Sequence, residues 1–274
     1  MNWLWLVILS PLWGAGLVVG TSFLLAWLVF PAGGSRGPHD TPTSRLVGTV
    51  LVLLGEWLAA TWVAATMVFR WVGRRRLERV TGKRRPLVLL PGFLENPITL
   101  WPLRVRLARA LGVPVVVLRP PRYGLELSRQ ARQVAGEIAA VLEETGAAKV
   151  DIVGHSLGGL LARHLVEIDG LGDRIDTVVT LATPHLGSAL AALVPLRAMH
   201  QMRRGSAYLE TLNNRPLPGE VRFIGICSTH DNLVLPWNCS LSPRGDNFIL
   251  RYQGHTTLLF SRQVVAIIAR ELGS

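Results

Sequence analysis

The sequence predicts an α/β protein, with a mostly parallel sheet covered by helices on both faces, preceded by a transmembrane helical hairpin. Three observations carry this expectation. From residue 86 onward, short runs of Val, Ile and Leu alternate with longer amphipathic runs, as strands alternate with covering helices. Before residue 72 lie two long apolar stretches, Trp3 to Phe30 and Leu46 to Phe69, the second interrupted only by Glu56. Between a strand-like run and a helix-like run stands Gly154-His155-Ser156-Leu157-Gly158, a glycine-flanked serine in a tight turn.

The apolar stretches come first. About 20 apolar residues cross a bilayer core, and residues 1–35 carry no charged side chain. A cleavable signal peptide would place basic residues before a short apolar core. Met1-Asn2-Trp3-Leu4 has none, and the core here is too long. The expected organisation is therefore a hairpin within residues 1–72 (helices about 3–30 and 46–69), a basic linker at 73–85 and an α/β domain over 86–274. Seven of the nine tryptophans lie in the first 71 residues. Trp3, Trp5, Trp27 and Trp71 fall near the expected membrane surfaces, where indole rings are favoured. Trp13, Trp57 and Trp62 are expected between the helices, and Gly16 and Gly20 have the spacing of a close helix contact. Glu56 is costly at membrane depth. It is expected to be neutral and hydrogen-bonded to Thr21 or Ser22 on the first helix, with a functional role as the alternative.

Charge is distributed unevenly. The net charge is +11, of which residues 1–85 supply ten Lys/Arg against three acids. Eight of those ten bases fall between Arg70 and Arg85, whereas Pro31 to Arg45 holds only Arg36 and Arg45. A basic cluster can mark a nucleic-acid surface. Directly after an apolar span it points instead to a cytoplasmic flank attracting anionic lipid. Both termini are thus expected in the cytoplasm, with the bilayer as partner and no nucleic acid.

The elements of the second region follow in order. Pro86–Leu90 reads as a strand, and Thr99–Leu111 as a helix with Arg104, Arg106 and Arg109 on its polar side. Val113–Leu118 is the next strand. Ser128 should cap an amphipathic helix running to Thr145, with Ile138, Val141 and Leu142 on its apolar face. The strand entering the serine turn, a helix to Ile168 and the strand Thr177–Leu181 come next. Leu186 to Glu220 interrupts the alternation with an apolar stripe of Leu190, Leu193, Val194, Leu196 and Met199. This segment is either a lid or a core-packing helix pair. Strands Val221–Cys227 and Asn247–Gln253 and a closing helix Leu258–Leu272 complete the chain.

The glycines beside Ser156 explain the turn. A serine raised between strand and helix needs small residues two positions before and after it, and Gly154 and Gly158 supply them. A serine hydroxyl attacks poorly until an imidazole accepts its proton, and that imidazole needs a carboxylate to hold its tautomer. Asp231 and His255 each follow a later strand, in the order nucleophile, acid, histidine. Asp246 is the rival acid, although it precedes a strand. His185 and His230 fit the base role less well, and His155 is expected to pack beside the nucleophile. Asp151 should face a helix or solvent.

These residues, with Leu89-Leu90-Pro91-Gly92-Phe93, Thr183-Pro184-His185-Leu186-Gly187-Ser188, Asp231-Asn232-Leu233-Val234-Leu235-Pro236 and Gly254-His255-Thr256-Thr257-Leu258-Leu259, resemble the α/β-hydrolase superfamily and its bacterial lipases and esterases. The resemblance covers about residues 86–274. It implies an α/β-hydrolase fold and a triad of Ser156, Asp231 and His255, with an oxyanion hole from the backbone N–H groups of Phe93 and Leu157. It also implies a serine hydrolase of acyl esters, lipase or carboxylesterase, and with the basic flank of the second span the expected location is a bacterial inner membrane with the catalytic domain on the cytoplasmic side. A thioesterase, a lipid-linked deacylase, an acyltransferase or a catalytically silent membrane scaffold are the alternatives. No cofactor is expected, since no zinc-ligand spacing, calcium-ligand set or Gly-rich phosphate loop is apparent. Cys227 and Cys239 would stay reduced in the cytoplasm and could pair in an oxidising compartment.

Overall fold

A computed structural model describes residues 3–29, 42–69, 85–119, 122, 124–216 and 220–273. Two long helices come first, α1 (Trp3–Val29) and α2 (Pro42–Thr66). Then follow β1 (Leu87–Leu90), α3 (Trp101–Leu111), β2 (Val115–Val117), α4 (Leu127–Thr145), β3 (Val150–His155) and α5 (Leu157–Glu167). Next are β4 (Ile175–Leu181), the short α6 (Arg197–Gln201), α7 (Ala207–Asn214), β5 (Arg222–Ser228), β6 (Asp246–Leu250) and α8 (Arg262–Gly273).

The six strands form one sheet in the order β2-β1-β3-β4-β5-β6, and every neighbouring pair is parallel. Side chains on a strand alternate between faces, and β1 shows the consequence. Val88 and Leu90 enter a core with α4 and α5, whereas Leu87 and Leu89 enter a second core with α3 and α8. A strand buried on both faces must be apolar at every position, as β1 is. Because all strands run the same way, the loops after β1, β3, β5 and β6 emerge at one end of the sheet. The chain is thus an α/β fold, one parallel sheet with an apolar core on each face.

Several local expectations are corrected. The helix at 127 starts one residue before Ser128, with Glu126 at the cap position and no side-chain cap. Its first amide is instead satisfied from outside, Leu127 N–H donating to Gln201 Oε1 at 2.7 Å. The closing helix is broken, because Thr257–Phe260 forms a tight turn and Ser261 is extended before α8. Asp151 does not face solvent. It is buried against Arg85 Nε at 3.1 Å, and burial pushes its carboxyl above the ordinary range despite that partner. Arg85 also reaches Asp176 at 3.1 Å, so the last basic residue of the cluster is tied to the sheet instead of to lipid. The rest of that cluster, Arg70 to Arg84, and Trp71 lie outside the described residues, as do the side chains of Trp3, Trp5 and Trp27.

Within 186–220, the stripe divides. Met199, Ala198, Met202, Leu209 and Leu212 join the α4–α5 core, with Val194 and Leu196 packed against it. Leu193 and Leu186 are left exposed. This segment is therefore largely core packing with an exposed apolar edge.

Among the described residues, Leu46–Thr66 is the helical stretch long and apolar enough to cross a membrane, and Trp13–Leu25 is a shorter apolar stretch. Neither helix stands free. Ser22 and Glu56 are buried against the sheet domain, and Gly48 meets the Tyr252 ring so closely that an added Cβ would sit 2.5 Å from it. Thr66 Oγ1 bonds Thr99 Oγ1 at 3.1 Å and accepts from Asn96 Nδ2 at 3.0 Å. Positions 48, 52, 55, 56, 59 and 66 thus form one inward face at helical spacing. Leu46, Val47, Val50, Leu51, Leu54, Leu58 and Trp62 lie exposed along the outside. Trp57 does pack between the helices, 3.2 Å from where a Cβ on Gly16 would be, whereas nothing approaches Gly20. Trp13 is 73% exposed and does not fill the helix interface.

Candidate active site

The central strand β3 delivers Ser156 into the turn before α5, with φ 51° and ψ −118°. Positive φ is costly for a residue with a side chain, and it survives only where surroundings enforce it. Here they do. Ser156 N–H donates to Leu181 O at 2.8 Å, and the glycines leave no room for alternatives. A Cβ on Gly154 would lie 2.5 Å from Gly159 N, and one on Gly158 would run into Leu90 O. Ser156 remains half-exposed while its neighbours are buried. Leu157 begins α5, so its amide is among the free N–H groups at that helix's positive end.

Loops at the same end of the sheet surround this serine. The loop after β1 brings Gly92 so close that an added Cβ would lie 3.1 Å from Ser156 Cβ, and Phe93 follows directly, packed against the α4–α5 core. The loop after β5 carries Asp231, which is buried, and the loop after β6 carries His255, also buried. His255 Nδ1 meets both Asp231 carboxylate oxygens, at 3.0 Å and 2.9 Å. Asp231 Oδ1 in turn accepts N–H bonds from Leu233 and Val234, each at 2.8 Å, which fixes the carboxylate plane. Burial disfavours the His255 imidazolium, but Asp231, with Glu56 and Glu95 adding in the same sense, outweighs it and raises the pKa above its ordinary value.

His155, adjacent to Ser156, bridges the two halves of the site. Its ring centroid is 4.8 Å from that of His255. Its Nε2 lies 3.1 Å from His255 O, and its Nδ1 lies 2.6 Å from Glu95 Oε1. Glu95 Oε2 accepts the Gly92 N–H at 2.5 Å, so one carboxylate ties the loop after β1 to the histidine pair. His155 therefore packs beside the serine, as expected. Glu95 is not legible in the sequence: one acid in a loop after a strand gives no sign that it will be buried among histidines.

The rival residues are elsewhere. Asp246 opens β6, exposed, at the far end of the strand from the His255 loop. His185 is buried between Arg163 Nη1 and Thr180 Oγ1, each at 3.1 Å. Burial, with Arg163 alongside, holds its pKa well below the usual value. His230 Nδ1 accepts the Tyr252 N–H at 3.2 Å. Cys227 and Cys239 are both free and buried, and burial next to Asp231 pushes the Cys227 thiol up to about 12. Among the described residues, no group of three or more His, Cys, Asp or Glu side chains is placed to hold a metal ion.

Glu56 is the main correction. It does not reach Thr21 or Ser22. Its Oε1 accepts the Thr257 N–H at 2.5 Å, two residues from His255. Ser22 instead serves Asn232, whose Nδ2 donates to Ser22 Oγ at 2.8 Å. The sequence marks Glu56 as an anomaly in an apolar helix, but the partner lies 201 residues away.

Comparison with known proteins agrees with this architecture. Residues 122–226 match the PGAP1-like alpha/beta domain family. A triacylglycerol lipase of Pseudarthrobacter phenanthrenivorans is 37% identical over 65 residues, which make up 24% of this chain and 20% of that enzyme. The chain thus matches only about a fifth of that relative's length. Among solved structures, Bacillus licheniformis lipase BlEst2 superposes with a TM-score of 0.62 at 15% identity, covering 72% of this chain and 96% of that one. Aspergillus fumigatus lipase B gives a TM-score of 0.60 at 19% identity, over 71% of this chain and 53% of that one.

Proposed function

We propose that this chain, an α/β hydrolase by fold and similar to lipases and esterases, is a serine hydrolase that cleaves carboxylic esters of acyl chains. One observation carries the reading: a buried aspartate–histidine pair, Asp231 and His255, whose imidazole lies 4.8 Å from the ring of His155, the chain neighbour of a serine held at positive φ where a strand meets a helix. Ser156 Oγ attacks the ester carbonyl while His255 Nε2 takes its proton. Asp231 holds Nδ1–H and stabilises the imidazolium. The amides of Phe93 and Leu157 receive the negative charge on the tetrahedral oxygen. His255 then returns the proton to the leaving alcohol, and water, activated the same way, releases the acid from Ser156.

The substrate is proposed to come from a membrane. Among the described residues, the outer face of α2 is largely apolar, from Leu46 to Trp62, and Glu56 on its inner face reaches the His255 loop. From Gly48 to Thr66, α2 rises about 27 Å, close to the thickness of a bilayer core. A helix flanked by protein over that length cannot have lipid on every side. We therefore assign its outer face to a lipid surface and its inner face to the catalytic domain, with helix and domain together on the cytoplasmic side. An acyl chain would then reach Ser156 without crossing bulk water.

The test is Ser156→Ala in the full chain. It should abolish p-nitrophenyl ester turnover and fluorophosphonate labelling while leaving the thermal transition in place. Labelling that persists in Ser156→Ala would overturn the assignment.

A further inference from the structure

The hairpin reaches further into the site than attachment to a surface requires. The loop carrying His255 follows the edge strand β6, so the sheet supports it from one side only. Catalytic geometry must hold to about 0.5 Å, and a loop at an edge has few means to achieve that. This loop takes support from both apolar helices. On α2, Glu56 is buried, accepts the Thr257 N–H at 2.5 Å and fills the space where a Cβ on Gly254 would go. On α1, Ser22 Oγ accepts from Asn232 Nδ2 at 2.8 Å, and Asn232 Oδ1 accepts the His255 N–H at 3.1 Å. Each helix therefore grips one flank of the base.

A buried carboxyl in an otherwise apolar helix is expensive unless its oxygens are satisfied. Here the satisfied donor belongs to the catalytic loop and not to the partner helix. Glu56 itself touches no reacting atom in the mechanism above.

We propose that Glu56 and Ser22 are positioning residues that hold the His255 loop against Ser156 and Asp231, so that the N-terminal hairpin is a structural part of the active centre. The proposal rests on the hydrolase reading, in that it takes His255 as the base.

The experiment uses the full chain in detergent micelles with Glu56→Met, Glu56→Gln and Ser22→Ala. Met keeps the length and apolar fit of the side chain but offers no strong acceptor. Gln keeps an oxygen for the Thr257 amide. The readouts are kcat and KM on p-nitrophenyl octanoate and amide exchange at Thr257 and its neighbours. A small displacement of a catalytic group costs up to about 100-fold in rate. Glu56→Met should accordingly lower kcat by about 10- to 100-fold, leave KM nearly unchanged and speed exchange at Thr257. Glu56→Gln should restore most of both. Ser22→Ala, a minimal change of volume, should move kcat and His255 amide exchange in the same direction to a smaller extent. Unchanged kcat and exchange in Glu56→Met, or a Gln variant no better than Met, would overturn the proposal. Exchange is read without turnover. If the wild-type chain neither hydrolyses ester nor reacts with fluorophosphonate, the hydrolase reading falls, while exchange still decides whether Glu56 holds this loop.

Discussion

Asp231→Asn tests the proposed chemistry most directly, because the structure dictates which way the new amide must turn. Asp231 Oδ1 accepts from the Leu233 and Val234 amides at 2.8 Å. Two N–H donors aimed at one atom require an oxygen there, so the substituted side chain must keep its carbonyl on that side. Its NH2 group then occupies the Oδ2 position, which in the native chain lies 2.9 Å from His255 Nδ1. A donor there opposes Nδ1–H, leaves only the Oδ1 carbonyl at 3.0 Å to accept it, and so shifts the ring proton toward Nε2. In this tautomer His255 cannot take the Ser156 proton. The packing barely changes, so the fold should survive while turnover collapses. Loss of the correct tautomer in a triad costs about 10⁴-fold in kcat, or roughly 5 kcal/mol of transition-state stabilisation. The assay is steady-state hydrolysis of a p-nitrophenyl ester beside a thermal melt for each variant. Near-normal turnover in Asp231→Asn, with a loss in Asp246→Asn, would refute the assignment of the acid.

Three further outcomes are expected. His255 must be neutral to act as base, and its pKa is raised above the ordinary 6.5, so kcat/KM should climb with pH through a limb lying above 6.5. Of the acids facing it, Asp231, Glu56 and Glu95, Glu95→Gln removes one negative charge and should move that limb to lower pH; a shift upward would contradict the reasoning. Arg163, fully buried, holds Glu167 at 2.7 Å and 3.0 Å, and Arg163→Met leaves that carboxylate, among the described residues, with Arg244 at 3.4 Å as its remaining cation. Breaking a buried pair on one side costs about 3–5 kcal/mol, which a urea titration should register as a lower midpoint, and an unmoved midpoint would count against it. Leu193 is 67% exposed on the segment between β4 and β5. If acyl chains enter over that edge, kcat/KM should rise with acyl length, each buried methylene contributing about 0.8 kcal/mol, and Leu193→Asp should flatten the rise without slowing acetate esters. Equal activity of Leu193→Asp on octanoate would remove this residue from the entry path. Leu196 is less suited to the same test, since it packs against the core.

The order of strands and helices after residue 86 was determined by sequence alone, because a buried parallel sheet demands uninterrupted apolar runs and its covering helices demand a periodic stripe. The serine turn was equally local: Gly154 and Gly158 are required by contacts with residues only a few positions away or on the adjacent strand. Asp231 and His255 could be chosen because position after a strand is itself a sequence property in a parallel sheet. The apolar character of the hairpin was plain too, but not its relation to the rest. Glu56, Ser22, Asn232 and Glu95 acquire their roles through partners far along the chain, and a single buried polar residue carries no periodicity to point to its partner. Arg163 shows the same limit. It looks like one more solvated charge on α5, yet it is fully buried, because Glu167, His185 and Asn213 converge on it. Burial of polar groups is decided by which surfaces meet, and only the tertiary structure brings them together.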